Sequence, residues 1–243
     1  MYVSVKFLEQ QMGVDPSIAR FFVDRKVPEN NAFWSNRLLY VGRGNGFIFI
    51  PLYYDLLFRL GIPMPWLLAE PHIQFMEQIM HYATKVEKQE MHFGDQVVAI
   101  KKHVEQKASN LAFYENLVSY LQQDSIEPLG ILGAACPALN RADAFLFVLC
   151  DLPLSSDQIF LAVRYWYALI TSFLLMDDIY DYPTDKQRQE ESSIVELGDG
   201  DRGFMRAFAI LKENQQILAQ INPLLSKDLK RQAEELQDST LKH

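Results

Sequence analysis

The stretch SSDQIFLAVRYWYALITSFLLMDDIYD, running from Ser155 to Asp181, decides how the rest of the chain is read. Ser155 with Gln158 three residues later has the spacing of a capping box, and Pro183 marks the expected far end of a helix. Between them Ile159, Phe160, Leu161, Val163, Tyr165, Trp166, Leu169, Ile170, Phe173, Leu174 and Leu175 leave almost no polar face. A helix that is apolar all round belongs in the middle of a bundle. The spacing therefore predicts a buried helix over Asp157–Asp181, roughly 37 Å long at about 1.5 Å per residue.

Helical patterns continue on both sides of this rod. Phe204–Ile221 and Leu224–Leu236 read as two closing helices separated by Asn222 and Pro223. Upstream, Trp66, Ile73, Met76, Met80 and Ala83 recur at helical spacing, and Glu77 with His81 on the polar side reads as a solvated ion pair or as two metal ligands. Further helices are expected over Asp95–Gln106, Ser109–Gln123 and Ala142–Cys150, with breaks at Gly94, Pro128–Gly133 and Pro153. Lys101, Lys102 and His103 read as a solvated basic face.

The N-terminal region reads differently. Arg37–Val41 and Phe47–Ile50 flank a turn rich in glycine, Gly42–Gly46, the pattern of a β-hairpin. The turn does not open onto a helix, so a structural role outweighs a phosphate cradle. The expected fold is mainly α: a single domain over residues 1–243, a helical bundle with a buried central helix. Residues 1–62 form an α+β extension carrying a small hairpin.

Composition narrows the function classes. The chain has 243 residues, 23 Lys+Arg against 31 Asp+Glu, and a net charge of −8, which disfavours nonspecific nucleic-acid binding. The most apolar stretch, Phe160–Met176, is interrupted by Arg164 and falls short of the ~20 residues that span a bilayer, so no stable membrane insertion is expected. The start lacks the layout of a secretory signal. Cys136 and Cys150, both in apolar stretches, read as reduced buried thiols, and a cytoplasmic location follows as the expectation.

The chemistry concentrates at the far end of the central helix. Asp177 and Asp181 are four residues apart and share a face, with Asp178 about 100° away. Like charges at that spacing repel, and the negative end of the helix dipole adds to the cost. Such an arrangement calls for a compensating cation. Carboxylate oxygens are hard ligands, favouring Mg²⁺ or Mn²⁺, with Ca²⁺ an alternative. Mg²⁺ bound in this way commonly completes its shell with water and phosphate oxygens.

The sequence Asp177-Asp178-Ile179-Tyr180-Asp181 resembles the D-D-x-x-D motif of class I isoprenoid synthases, in the spelling D-D-I-Y-D often seen in terpene cyclases. Trans-prenyltransferases carry similar motifs. The resemblance implies an α-bundle in which Asp177, Asp178 and Asp181 bind Mg²⁺, and the metal grips the diphosphate of an allylic isoprenoid substrate. Ionisation would then leave a carbocation in an apolar cavity. Lys186, Arg188, Arg202 and Arg206 lie just downstream and could neutralise the leaving group, while Phe173 and Trp166 could present ring faces to the cation. The family's second metal motif has its nearest counterpart in Asn222, Ser226 and Lys230, where a base replaces the final acid.

Glu190, Glu191, Glu196, Asp199 and Asp201 form a second acidic patch, and Ser192, Ser193, Gly198, Gly200 and Gly203 within it read as a mobile loop or a lid. The leading expectation is a Mg²⁺-dependent enzyme that is terpene synthase-like and ionises an isoprenoid diphosphate. Its rivals are a trans-prenyltransferase or another Mg²⁺-phosphate hydrolase on an α-bundle, and a noncatalytic helical binding or scaffold protein that retains an acidic motif. A homodimer is compatible with each.

Overall fold

The structure, a computed structural model, describes residues 3–29, 31, 40, 47–105, 107–123 and 129–240. Among the described residues the chain is mainly helical and contains no strand. The helices are α1 (Val5–Gln10), α2 (Pro16–Asp24), α3 (Phe49–Arg59), α4 (Met64–Leu67), α5 (Glu70–Glu87), α6 (Phe93–Val104), α7 (Leu111–Leu121), α8 (Ser156–Arg188), α9 (Ser193–Glu196), α10 (Gly200–Ala219) and α11 (Pro223–Thr240). Two 3₁₀ segments, Pro137–Asn140 and Asp143–Leu149, lie between α7 and α8.

The axis of the fold is α8. Its N-terminus carries the expected capping box: the Ser155 hydroxyl accepts from the Gln158 N–H, and the Gln158 side chain accepts from the Ser155 N–H. The helix packs against α3, α9, α10, α11 and the first 3₁₀ segment, which bury most of its faces. Trp166 is fully enclosed, stacked on Phe145 with centroids 5.0 Å apart and edge-on to Tyr53 at 5.1 Å. By length and composition α8 could cross a membrane, but 67% of its most apolar window lies inside the fold.

The helix is longer than its sequence pattern implies. It runs 33 residues, about 50 Å, straight through Pro183, and ends where Gln189 turns left-handed at φ 56°. A proline inside a helix forfeits one backbone hydrogen bond, but tertiary contacts hold the extra turns. The Tyr182 ring meets Phe204 edge-on at 4.9 Å, and the Tyr182 hydroxyl donates to Asp199 at 2.6 Å.

The N-terminal hairpin is corrected by the fold. Phe49 and Ile50 do not form a strand; they open α3, whose residues from Phe49 through Leu57 are all buried. A continuous apolar run can be a buried helix as readily as a buried strand, and burial on every side selects the helix here. The other expected strand and its turn fall on 37–39 and 41–46, outside the described residues; between them only Tyr40 is described, and it is buried. Instead of lying on the outside of the bundle, α3 packs directly on α8.

The stretch after α8 that reads as a mobile loop is largely helical and packed onto the bundle. Ser192, Ser193 and Ile194 are buried, α9 packs on α8 and α10, and Gly203 lies directly against the Ile194 carbonyl. A side chain at 203 would collide with that backbone, so the glycine there serves close packing rather than flexibility.

Candidate functional site

The three aspartates of the D-D-x-x-D stretch divide between two environments. Asp178 points into the fold and is 3% exposed. Arg141 donates to both of its oxygens, Nη2 to Oδ1 at 2.8 Å and Nη1 to Oδ2 at 3.3 Å. The Ser193 N–H donates to Oδ2 at 2.8 Å, and Arg141 Nη1 also reaches the Ala138 carbonyl at 2.9 Å. One carboxylate thereby ties α8 to the first 3₁₀ segment and to α9. Its acceptor capacity is committed within the protein.

Asp177 and Asp181 sit on the outer side of α8, and no described side chain hydrogen-bonds or ion-pairs with either. Partial burial pushes the Asp177 carboxyl above its ordinary range, and the charges of Asp181 and Asp178 push it further, against a weaker opposing pull from Arg141. Asp185, one turn beyond Asp181, is raised by burial and by the neighbouring acids. The outer acids are thus a row of mutually repelling carboxylates that no described cation pairs with directly. Among the described residues no three His, Cys, Asp or Glu side chains converge as a metal-binding group. Asp178 does not fit a shared Mg²⁺ site with the other two; Asp177 and Asp181 are the pair whose oxygens remain available.

A groove of about 440 Å³ opens beside Asp177, between α8 and α11. Phe173, Met176, Asp177 and Tyr180 form one wall; Gln232, Glu235, Leu236 and Ser239 form the other. Each set follows the same helical offsets of three, four and seven, so each wall is one face over two turns. Tyr180 is 76% exposed, an unusual state for a large aromatic.

The remaining expected site residues are placed elsewhere. Trp166 belongs to the packed core and does not line the groove; its indole N–H donates to the buried Asp143 at 3.1 Å. Lys186 donates to Asp199 at 2.7 Å and to the Tyr182 hydroxyl at 2.9 Å. Arg206 reaches the Leu197 carbonyl at 2.9 Å, Arg188 lies 3.8 Å from Glu190, and Arg202 packs beside Gly198. None of these four cations lines the groove. Phe173 alone among the expected apolar contacts does. Asn222, Ser226 and Lys230 likewise serve the fold: Asn222 bonds Met12 and Asp55, Ser226 donates to the Gln215 carbonyl, and Lys230 faces Glu234.

Glu77 and His81 are not a solvated pair. Glu77 is buried, takes a forked contact from Arg25 at 2.9 Å through each oxygen, and accepts from the Tyr40 hydroxyl at 2.6 Å. His81 instead lies 3.3 Å from Asn31 Oδ1. The partner that draws Glu77 inward is fifty-two residues away in the sequence, which no local pattern reveals. Local spacing does mark the α11 wall of the groove, since Gln232, Glu235, Leu236 and Ser239 repeat the offsets of the α8 wall; but that signal has meaning only once α8 lies alongside.

Comparison with family models, with curated proteins and with solved structures finds no match.

Proposed function

We propose that the protein is a noncatalytic helical binding protein whose seat is the groove between α8 and α11, taking an apolar group that carries positive charge. The observation that carries this reading is Asp177: an unpaired carboxylate, repelled by Asp181, on the rim of a groove floored by Phe173, Met176 and Leu236. A cation placed about 4 Å from such a carboxylate gains on the order of 4 kcal/mol at a dielectric typical of a protein surface, before desolvation is subtracted. Covering the apolar floor adds roughly 25 cal/mol for each Å² removed from water. The free buried thiols of Cys136 and Cys150 support a reducing, cytoplasmic setting.

Methyl NMR on methionine-labelled protein tests the reading, with Met176 as the reporter and Met176→Leu as its assignment. Octylammonium should shift the Met176 methyl, and octanoate should leave it in place. A Met176 signal that responds to neither probe overturns the proposal.

A second reading is favoured by the same unpaired acids. Asp177 and Asp181 would hold Mg²⁺, which would bring the positive charge that an isoprenoid diphosphate needs in order to ionise. Calorimetry with Mg²⁺ plus pyrophosphate separates the two. The binding reading expects no metal-dependent heat; a metal-dependent heat that disappears in Asp177→Asn replaces it with the enzymatic one.

A further inference from the structure

We propose that the occupant of this groove is a basic amphipathic helix belonging to a partner protein. The inference rests on the binding reading above and adds the nature of the ligand.

Shape is the first argument. The two walls are helical faces of equal length, each spanning about 10 Å at 1.5 Å per residue. A trough between two helices is the natural seat for a third, whose side chains at three- and four-residue spacing drop between the rows already present. The trough is also shallow and open to solvent, with Tyr180 standing largely in water. A small molecule in such a place would keep much of its surface wet, whereas small-ligand sites typically enclose about 70–90% of their guest. A helix needs to bury only one face.

Charge is the second argument. Neither Asp177 nor Asp181 forms an ion pair with a described side chain, whereas Glu235 on the opposite wall is paired with Arg231 at 2.8 Å. The rim is therefore acidic along its α8 side, beside an apolar lining. Lysine or arginine flanking an apolar stripe complements that pattern. A second copy of this chain, at net charge −8, would bring acid against acid if it docked groove to groove. An anionic lipid surface would be repelled by the same rim.

The test uses the full chain and a fluorescent, end-capped peptide of about fifteen residues, with leucines at alternating three- and four-residue spacing and lysines on both flanks. Anisotropy should report binding that weakens as salt rises. Tyr180→Ala should weaken it roughly thirtyfold, as removal of a central aromatic anchor does. Asp177→Asn with Asp181→Asn should weaken it about threefold to tenfold and flatten the salt dependence. Met205→Ala, an exposed methionine outside the groove, should change nothing. A glutamate-flanked peptide with the same leucines should not bind.

Equal binding of the two peptides, or indifference to Tyr180→Ala, overturns the inference. If sedimentation shows a dimer that Tyr180→Ala dissociates, the occupant is a second copy and the inference is wrong. If octylammonium shifts Met176 but the lysine peptide fails to bind, the binding reading stands and the helix falls. If neither probe acts at the groove, both fall.

Discussion

Arg141 grips Asp178 with a forked guanidinium at 2.8 and 3.3 Å, one residue away from Asp177, which forms no hydrogen bond or ion pair with a described side chain. Adjacent acids on one helix thus have opposite energetics. Removing one member of a buried pair strands the other, at a typical cost of about 3 kcal/mol.

Asp178→Asn should therefore lower the melting temperature by roughly 6–12 °C in a chain of this size. Asp177→Asn should be neutral or slightly stabilising, because it removes repulsion. Thermal melts followed by circular dichroism decide the matter; equal losses in both variants would contradict the division of roles.

Asp143 is buried and accepts from the Tyr120 hydroxyl at 2.7 Å, the Tyr167 hydroxyl at 2.7 Å and the Trp166 indole, with no cation among them. Burial pushes its carboxyl up from 3.8 to about 6, with the three donors pulling the other way. The folded state therefore holds this proton more tightly than the unfolded chain. The resulting stabilisation is complete below about pH 4 and is lost as pH rises through 6. Asp55, Asp177, Asp185 and Glu191 are shifted in the same direction and add to the slope. Urea titrations from pH 4 to 7 should show a shallower pH dependence in Asp143→Asn than in the parent; identical slopes would refute the assignment.

Gly203→Ala should destabilise by about 1–3 kcal/mol, since the new methyl collides with the Ile194 carbonyl and one helix must move. Gly94 is the matched control. It lies in α6 with open space around it, so Gly94→Ala should be neutral or stabilising by up to about 1 kcal/mol. Chemical denaturation midpoints compare the two directly.

Asp55 is fully buried and gathers the Asp15 N–H at 2.8 Å, Arg59 Nε at 2.6 Å and Asn222 Nδ2 at 3.1 Å, clasping the N-terminal segment to the α10–α11 turn. Asp55→Ala should cost about 3 kcal/mol. Hydrogen exchange should accelerate first in α1 and α2, which depend on that clasp; uniform acceleration throughout the chain would argue against it.

The central helix was legible because its cues are local. The capping box at Ser155 and Gln158 lies within one turn, and apolar residues on every face can be satisfied only by burial. The helices after it could be read for the same reason. Pro183 misled because proline's local penalty is real, yet Tyr182 and Asp199 compensate for it through contacts formed only in the folded chain. The run from Phe47 to Ile50 misled because a short, fully apolar segment carries no period with which to tell strand from helix. Glu77 was misread because its partner Arg25 is remote.

By itself, the sequence determined that a long, greasy helix must be wrapped by others, and that acids stand at its end where the helix dipole disfavours them. Both follow from residue type and a 3.6-residue period. Only the tertiary structure decided which acid turns inward to Arg141, which stays unpaired, and that α11 lies alongside to complete a groove. Those outcomes depend on which surfaces meet: a carboxylate's role is set by the groups packed around it, and a helix's sequence does not name its neighbours.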